Sequence, residues 1–526
     1  MLNSVKSHRG MVTSPHHLAS QAGLRVLQDG GTAAEAGVAM AAALAVVYPH
    51  MTGLGGDGFW LLADPGQPVR AVDACGRSAA SLSLDLYAGL DAIPWRGPLA
   101  ANTVAGTVSG WARALEVGGG TLPLARLLED AIHHAEAGVA VTAGGAAIMA
   151  AKAGELAPIS GFAAHFLPDG RPLREGETLK QPALARTLRR IAEAGAQDFY
   201  TGALARDIAA DLAAAGSPVS AKDLADHRAD TVDPLHARIT GIDLFNMIPP
   251  TQGVASLAIL ALFDRLGVTE GEGFAHVHGL VEATKQAFLW RDRHCGDPAW
   301  MEETAQALLD DGARLDAMAA RIDPAHALAW PQPPSAGDTV WFGAIDGEGR
   351  AASIIQSTYF EFGSGIVLPE TGITWQNRGS SFRLAANGWN ALAPRRKPFH
   401  TLNPALARFD DGRTMVYGTM GGEGQPQTQA AIFTRYAKFG MGLQAAITSP
   451  RWLLGRTWGE ASVSLKLEDR FDPVLIAALR AAGHDVELVE PFTATTMGHA
   501  GAIVRHPTGL LEGATDPRSD GQVGAW

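Results

Sequence analysis

The chain has 526 residues, 47% hydrophobic and 18% charged, which is ordinary globular composition with ample material for a large core. A formal net charge of −12 argues against nucleic acid or an anionic membrane as a partner. Two cysteines, Cys75 and Cys295, allow one disulfide at most and exclude a disulfide-built secreted scaffold.

The opening Met1–Gly10 lacks the apolar core of a signal peptide. Ser14 to Asp29 has the spacing of an amphipathic helix ending at Gly30-Gly31, and Thr32 caps a second helix through Val46. That apolar run, Ala33 to Tyr48, is too short for a membrane span and carries Glu35, so a soluble cytoplasmic protein is expected. Glycines in Met51–Gly58 end the helix, and strand-like runs Phe59–Leu62 and Val69–Val72 flank a turn at Pro65–Pro68. Helical patterns dominate from Leu122 to Ala215. Residues 236–248 predict a strand, and Leu257–Leu266 and Phe274–Arg293 predict helices. After Thr339 hairpins take over, with strands near 340–346, 351–357, 405–409 and 414–418. A helix from Gln427 to Phe439 and short strands near 463–467 and 501–505 close the chain. This order predicts a layered α+β architecture with sheets between helices.

Three stretches carry chemistry. The first is Asp338-Thr339, between the Pro-rich, irregular Ala329–Ala336 and a hairpin with its turn at Asp346-Gly347. A threonine opening a strand is ordinarily structural. Cleavage of Asp338–Thr339 would instead place its hydroxyl beside its own α-amine, one way to activate a weak nucleophile. The second is Gly418-Thr419-Met420-Gly421-Gly422-Glu423-Gly424-Gln425, just before a helix. Such a turn either meets a demand for positive φ or gathers backbone N–H groups into an oxyanion hole. The third is Asp516-Pro517-Arg518-Ser519, read as a rigid turn held by a local ion pair.

Set in order, these motifs resemble the γ-glutamyltransferase family of N-terminal nucleophile hydrolases, nearly end to end. The resemblance also rests on Ser14–Ser20, Met51–Phe59, Gly106 with Gly110-Trp111, Pro249–Gly253 and Gly296-Asp297-Pro298. Thr339 with Asp346, Phe362–Gly365, Gly421-Gly422 and Asp516–Ser519 complete it. It implies a four-layer αββα fold and self-cleavage into a large fragment, 1–338, and a small one, 339–526, which stay associated as one folded unit. It further implies Thr339 as nucleophile, Gly421 and Gly422 as oxyanion donors, and Ser357 as a hydroxyl partner of the nucleophile. No metal and no nucleotide cofactor is expected. A dimer of cleaved protomers is a plausible assembly.

Departures from the family pattern bear on the substrate. The family's carboxylate-binding arginine falls near Cys75, with Arg77 displaced by about two residues. The positions that hold a glutamyl α-amine read Tyr359, Arg378 and Ser381, and a serine pair reads His400-Thr401. A guanidinium repels an ammonium and suits a carboxylate. The pattern is most similar to the oxamate amidohydrolase branch, which implies release of ammonia from a small carboxylate-bearing amide. A γ-glutamyl hydrolase or transferase, another acylase, and an uncleaved binding protein on the same scaffold are the alternatives.

Overall fold

The hairpin expected after Thr339 forms the middle of a seven-stranded antiparallel sheet. Its order is Gln522–Ala525, Met11–Ser14, Asp338–Ile345, Ala351–Tyr359, Asp57–Ala63, Arg70–Ala74 and Asp230–Val232. A second antiparallel sheet runs Val5–Ser7, Leu511–Thr515, Ala500–Arg505, Thr414–Thr419, Ala405–Phe409, Ile242–Asn246 and Leu235–Ile239. The structure is a computed structural model describing residues 3–330, 338–455, 462–493 and 495–526. Most of the Pro-rich segment expected as a processing loop, from Pro331 onward, lies outside these residues.

Successive strand residues point to opposite faces, and the packing follows that alternation. Phe59, Leu61, Trp341 and Ile355 meet Leu406, Val416 and Ile503 between the two sheets. Their neighbours Trp60, Phe342 and Ile354 face the other way, against helices that include Ala33–Val47. On the far side, Leu244, Ala407 and Met415 pack under helices Gly253–Arg265, Phe274–His294 and Gly424–Phe433. Helix, sheet, sheet, helix is the four-layer αββα sandwich expected from the sequence. The helix Ala33–Val47 is buried at every position and starts from a capping box between Thr32 and Glu35, which explains its apolar composition all round. Among the described residues no helix is long and apolar enough to cross a membrane. Cys75 and Cys295 are both buried and free.

Several boundaries differ from expectation for identifiable reasons. Residues 236–248 form two strands, because Thr240-Gly241 reverses the chain with Gly241 at φ 76°. The first helix begins only at His17, since Met11–Ser14 pairs with Gln522–Ala525 in the sheet. The helix expected from Gln427 starts at Gly424 and passes at Phe433 into a π-helical turn, Thr434–Lys438. The strands Leu511–Thr515 and Gln522–Ala525 were not expected.

Between those last strands, Asp516 and Arg518 do pair, at 3.1 Å, but within a wider buried network. Arg451 reaches Asp516 at 2.5 Å and Arg518 reaches Glu468 at 2.5 Å, all four side chains 0% exposed. Burial alone would raise the Asp516 carboxyl, yet Arg451 and Arg518 hold it below its ordinary value. Arg451 also donates to the carbonyls of Met497 and Gly498, tying that loop down. Asp516→Asn keeps the shape and removes the charge, leaving buried guanidinium uncompensated. Urea unfolding is expected to show a loss of about 3–5 kcal/mol.

Candidate active site

Thr339 is buried on the first strand of the central hairpin. Asp338 pairs with Tyr359 and Val340 with Gln356, so Thr339 alone faces two residues, Ser357 and Thr358. This is a β-bulge, a device that redirects side chains and is common beside active sites. Ser357 Oγ accepts the N–H of Tyr359 at 2.8 Å. Past the bulge the backbone turns into strained territory, with Tyr359 at φ 86° and Phe362 at φ 59°.

On the neighbouring strand, Asp57 pairs with Ser357. Its carboxylate is fully buried and saturated with donors. Oδ1 accepts the N–H groups of Gly76 (3.0 Å) and Gly106 (3.1 Å) and the amide of Gln376 (3.1 Å). Oδ2 lies 3.0 Å from His400 Nε2. Only glycine allows this approach: a Cβ at Gly76 or Gly106 would lie 1.6 or 1.7 Å from a backbone oxygen. Burial pushes the Asp57 carboxyl up to about 6, while it holds His400 well below its ordinary value, helped by the charge of Arg378. His400 is therefore a neutral imidazole at pH 7.

Arg378 opens the turn Arg378–Ser381 and is 0% exposed. Its guanidinium carbon lies 3.3 Å from the centre of the Tyr359 ring, a cation–π contact. Nη1 donates to Thr401 Oγ1 at 3.2 Å. Nε and Nη2 have no hydrogen-bond partner among the described residues. Ser381 Oγ donates to the carbonyl of Phe399, next to His400. Tyr359 and Thr401 thus touch one buried cation, His400 is near enough to feel its charge, and Ser381 is tied to the residue before His400. Arg77 is placed apart: its side chain is 46% exposed, 3.4 Å from Asp297, and lines a cavity of about 400 Å³ with Cys75, His227 and Lys397.

The glycine turn lies on another strand of the second sheet, just past Thr419. Gly421 and Gly422 adopt φ 120° and 51°, values that favour glycine. Their N–H groups donate to no partner among the described residues, and the helix Gly424–Phe433 starts after one further residue, its N-cap Glu423. Gln252 links this turn to the pocket. Its amide donates 2.7 Å bonds to both Gly422 O and Thr401 O, and its own oxygen accepts from Arg291 at 2.8 Å.

Sequence reasoning missed Asp57 and Gln252 as site residues. The available signal for Asp57 was a lone acid in the otherwise apolar or glycine run Gly53–Trp60. Gln252 stands in Pro249–Gly253, but nothing local shows what its amide bridges.

A four-layer sandwich with a buried threonine on the first strand of its central hairpin has the architecture of the N-terminal nucleophile hydrolases. A family model described as gamma-glutamyltranspeptidase matches residues 19–526. The chain is 54% identical over 531 residues to the oxamate amidohydrolase proenzyme of Klebsiella pneumoniae subsp. pneumoniae, covering 100% of both. It is 42% identical over 524 residues to the glutathione hydrolase-like YwrD proenzyme of Bacillus subtilis, covering 99% of both. The crystal structure of cephalosporin acylase from Bacillus halodurans matches with a TM-score of 0.92 at 33% identity, over 100% of this chain and 97% of that one. The chain belongs to the gamma-glutamyltranspeptidase family. It is an enzyme of the N-terminal threonine hydrolase type.

Gln252→Leu would take one partner each from Gly422 O, Thr401 O and Arg291. The carbonyls keep Gln425 N–H and the Asn403 amide, so the orphaned group is the buried Arg291 Nη1, at a cost of about 1–3 kcal/mol. Lower stability in urea and reduced turnover are expected, measured on the same preparation.

Proposed function

We propose that this enzyme cuts its own Asp338–Thr339 bond and then releases ammonia from a small amide that carries a carboxylate, of the oxamate type. The observation that carries the substrate class is Arg378, a buried guanidinium with Nε and Nη2 unpartnered among the described residues and one face covered by Tyr359. A buried cation with spare donors is costly unless an anion completes it. The substrate carboxylate is that anion, with Thr401, His400 and Ser381 around it. Arg77 lies out at the cavity, half-exposed and close to Asp297. A glutamyl α-ammonium would meet guanidinium, phenol and hydroxyl instead of acceptors.

In this reading the fragments 1–338 and 339–526 remain one folded unit. Thr339 Oγ attacks the amide carbonyl, and its new α-amine takes the proton through water. An α-amine titrates at about pH 7.7–8.0, which suits a general base. The N–H groups of Gly421 and Gly422 stabilise the oxyanion, and Ser357 keeps the threonine hydroxyl oriented. The C–N bond then breaks, ammonia leaves with the proton, and an acyl ester remains on Thr339. Water hydrolyses that ester to the diacid. The relatives named proenzymes support the self-cleavage, and the oxamate amidohydrolase among them supports the substrate.

Intact mass is expected to show two species, the smaller of 188 residues, the 526 less the first 338. Thr339→Ala should remain one chain and turn over nothing. A wild-type chain that stays whole after long incubation would favour an uncleaved binding protein. Turnover of γ-glutamyl-p-nitroanilide without oxamate would overturn the substrate assignment. Arg378→Gln removes a charged hydrogen-bond pair worth about 1.5–3 kcal/mol, so kcat/KM for oxamate should fall roughly 10- to 150-fold. Neutral oxamide should be affected far less.

A further inference from the structure

We propose that Asp57, Cys75 and His400 form a site for a zinc-type divalent metal ion, and that filling it shuts the amide-hydrolysing site. The inhibitory part rests on the function proposed above; the metal site does not. One ligand atom from each residue, Sγ, a carboxylate oxygen and a ring nitrogen, lies within 4.8 Å of the other two, and all three side chains are buried. Sulfur, nitrogen and oxygen together are the donor set that zinc takes in four-coordinate sites.

The surroundings are those of a prepared site. Asp57 Oδ1 is fixed by Gly76, Gly106 and Gln376, which leaves Oδ2 as the oxygen turned to His400. Such outer bonds orient metal ligands. His400 Nδ1 is buried without a partner among the described residues. Moving the ring proton from Nε2 to Nδ1 therefore breaks no bond there and frees the Nε2 lone pair. Among the described residues the Cys75 thiol makes a single long contact, 3.7 Å to Gly76 O. Cys75 also lines the cavity of about 400 Å³, which gives an ion an entry path.

Binding forms metal–S, metal–N and metal–O bonds. The thiol proton leaves to solvent, the imidazole proton shifts between ring nitrogens, and nothing is oxidised. Thiolate and carboxylate cancel the ion's two charges. Arg378 then loses Asp57 as a facing negative charge, and His400 is locked beside Thr401. A second buried cluster, His278, Glu282 and His484, is a poorer candidate, since the Lys285 ammonium already sits 2.6 Å from Glu282.

The test titrates chelator-treated full-length protein with Co2+ and reads the thiolate-to-cobalt charge-transfer absorption. Zn2+ is followed by equilibrium dialysis and by oxamate turnover. Expected are about one ion per chain, a charge-transfer band, and a loss of turnover of at least tenfold in Zn2+ that EDTA reverses. Cys75→Ala and the similarly sized Cys75→Ser should both lack the band. They should bind Zn2+ more weakly by more than the ~10–100-fold that loss of an outer partner costs. Cys295→Ser should keep the band. Absence of the band in wild type, or its persistence in folded Cys75→Ala, overturns the site. A normal band with Zn2+-insensitive oxamate turnover overturns the inhibition. Wild-type protein inactive on oxamate before metal is added overturns the proposed function, while the cobalt band still decides the site.

Discussion

Asp57 carries a charge in a place water does not reach, and much of the pocket follows from satisfying it. An ionised carboxylate in the interior is tolerable only when donors surround it. Here the donors come from four separate stretches of chain: Gly76, Gly106, Gln376 and His400. Each can donate only if its loop folds against the strand Asp57–Ala63. Gln376 lies two residues before Arg378, and Thr401 follows His400. Gathering donors around one carboxylate therefore also brings the guanidinium and its hydroxyl partner together. Asp57 in turn offsets part of the cost of burying the Arg378 charge.

Much of the architecture was legible in the sequence, because it rests on local rules. Thr32 and Glu35 spell a capping box, and the alternation after Thr339 spells a hairpin. Gly421-Gly422 marked a turn that the positive φ angles explain. The pocket positions Tyr359, Arg378, His400 and Thr401, reached by resemblance, do converge. What was not legible depends on distant partners. The strand Met11–Ser14 exists because Gln522–Ala525 pairs with it, some 500 residues away along the chain, and the helical spacing read from Ser14 onward gave no sign of it. The Asp516–Arg518 pair was visible, but Arg451 and Glu468 were not. Asp57 and Gln252 went unnoticed because a buried polar residue declares its role only through the groups it bonds.

The left-handed backbone at Tyr359 and Phe362 lies just beyond the bulge. Such conformations cost about 1–3 kcal/mol each and persist only where surrounding contacts enforce them. Phe360 is held by Asn377, whose amide also bonds Trp95 O, and the Trp95 and Phe360 rings stack at 4.8 Å. That bracing fixes the Tyr359 ring over Arg378.

Both sheets interleave residues from either side of position 338. In the first, Met11–Ser14 lies between Gln522–Ala525 and Asp338–Ile345, and Asp57–Ala63 lies beside Ala351–Tyr359. In the second, Val5–Ser7 borders Leu511–Thr515, and Ile242–Asn246 borders Ala405–Phe409. Made as separate polypeptides, the two halves would each present several bare strand edges, the surfaces on which aggregation starts. A single continuous chain removes that hazard, because both sheets can close before any peptide bond is lost. Under the self-cleavage proposed at Asp338–Thr339, assembly as one polymer would therefore precede division into two.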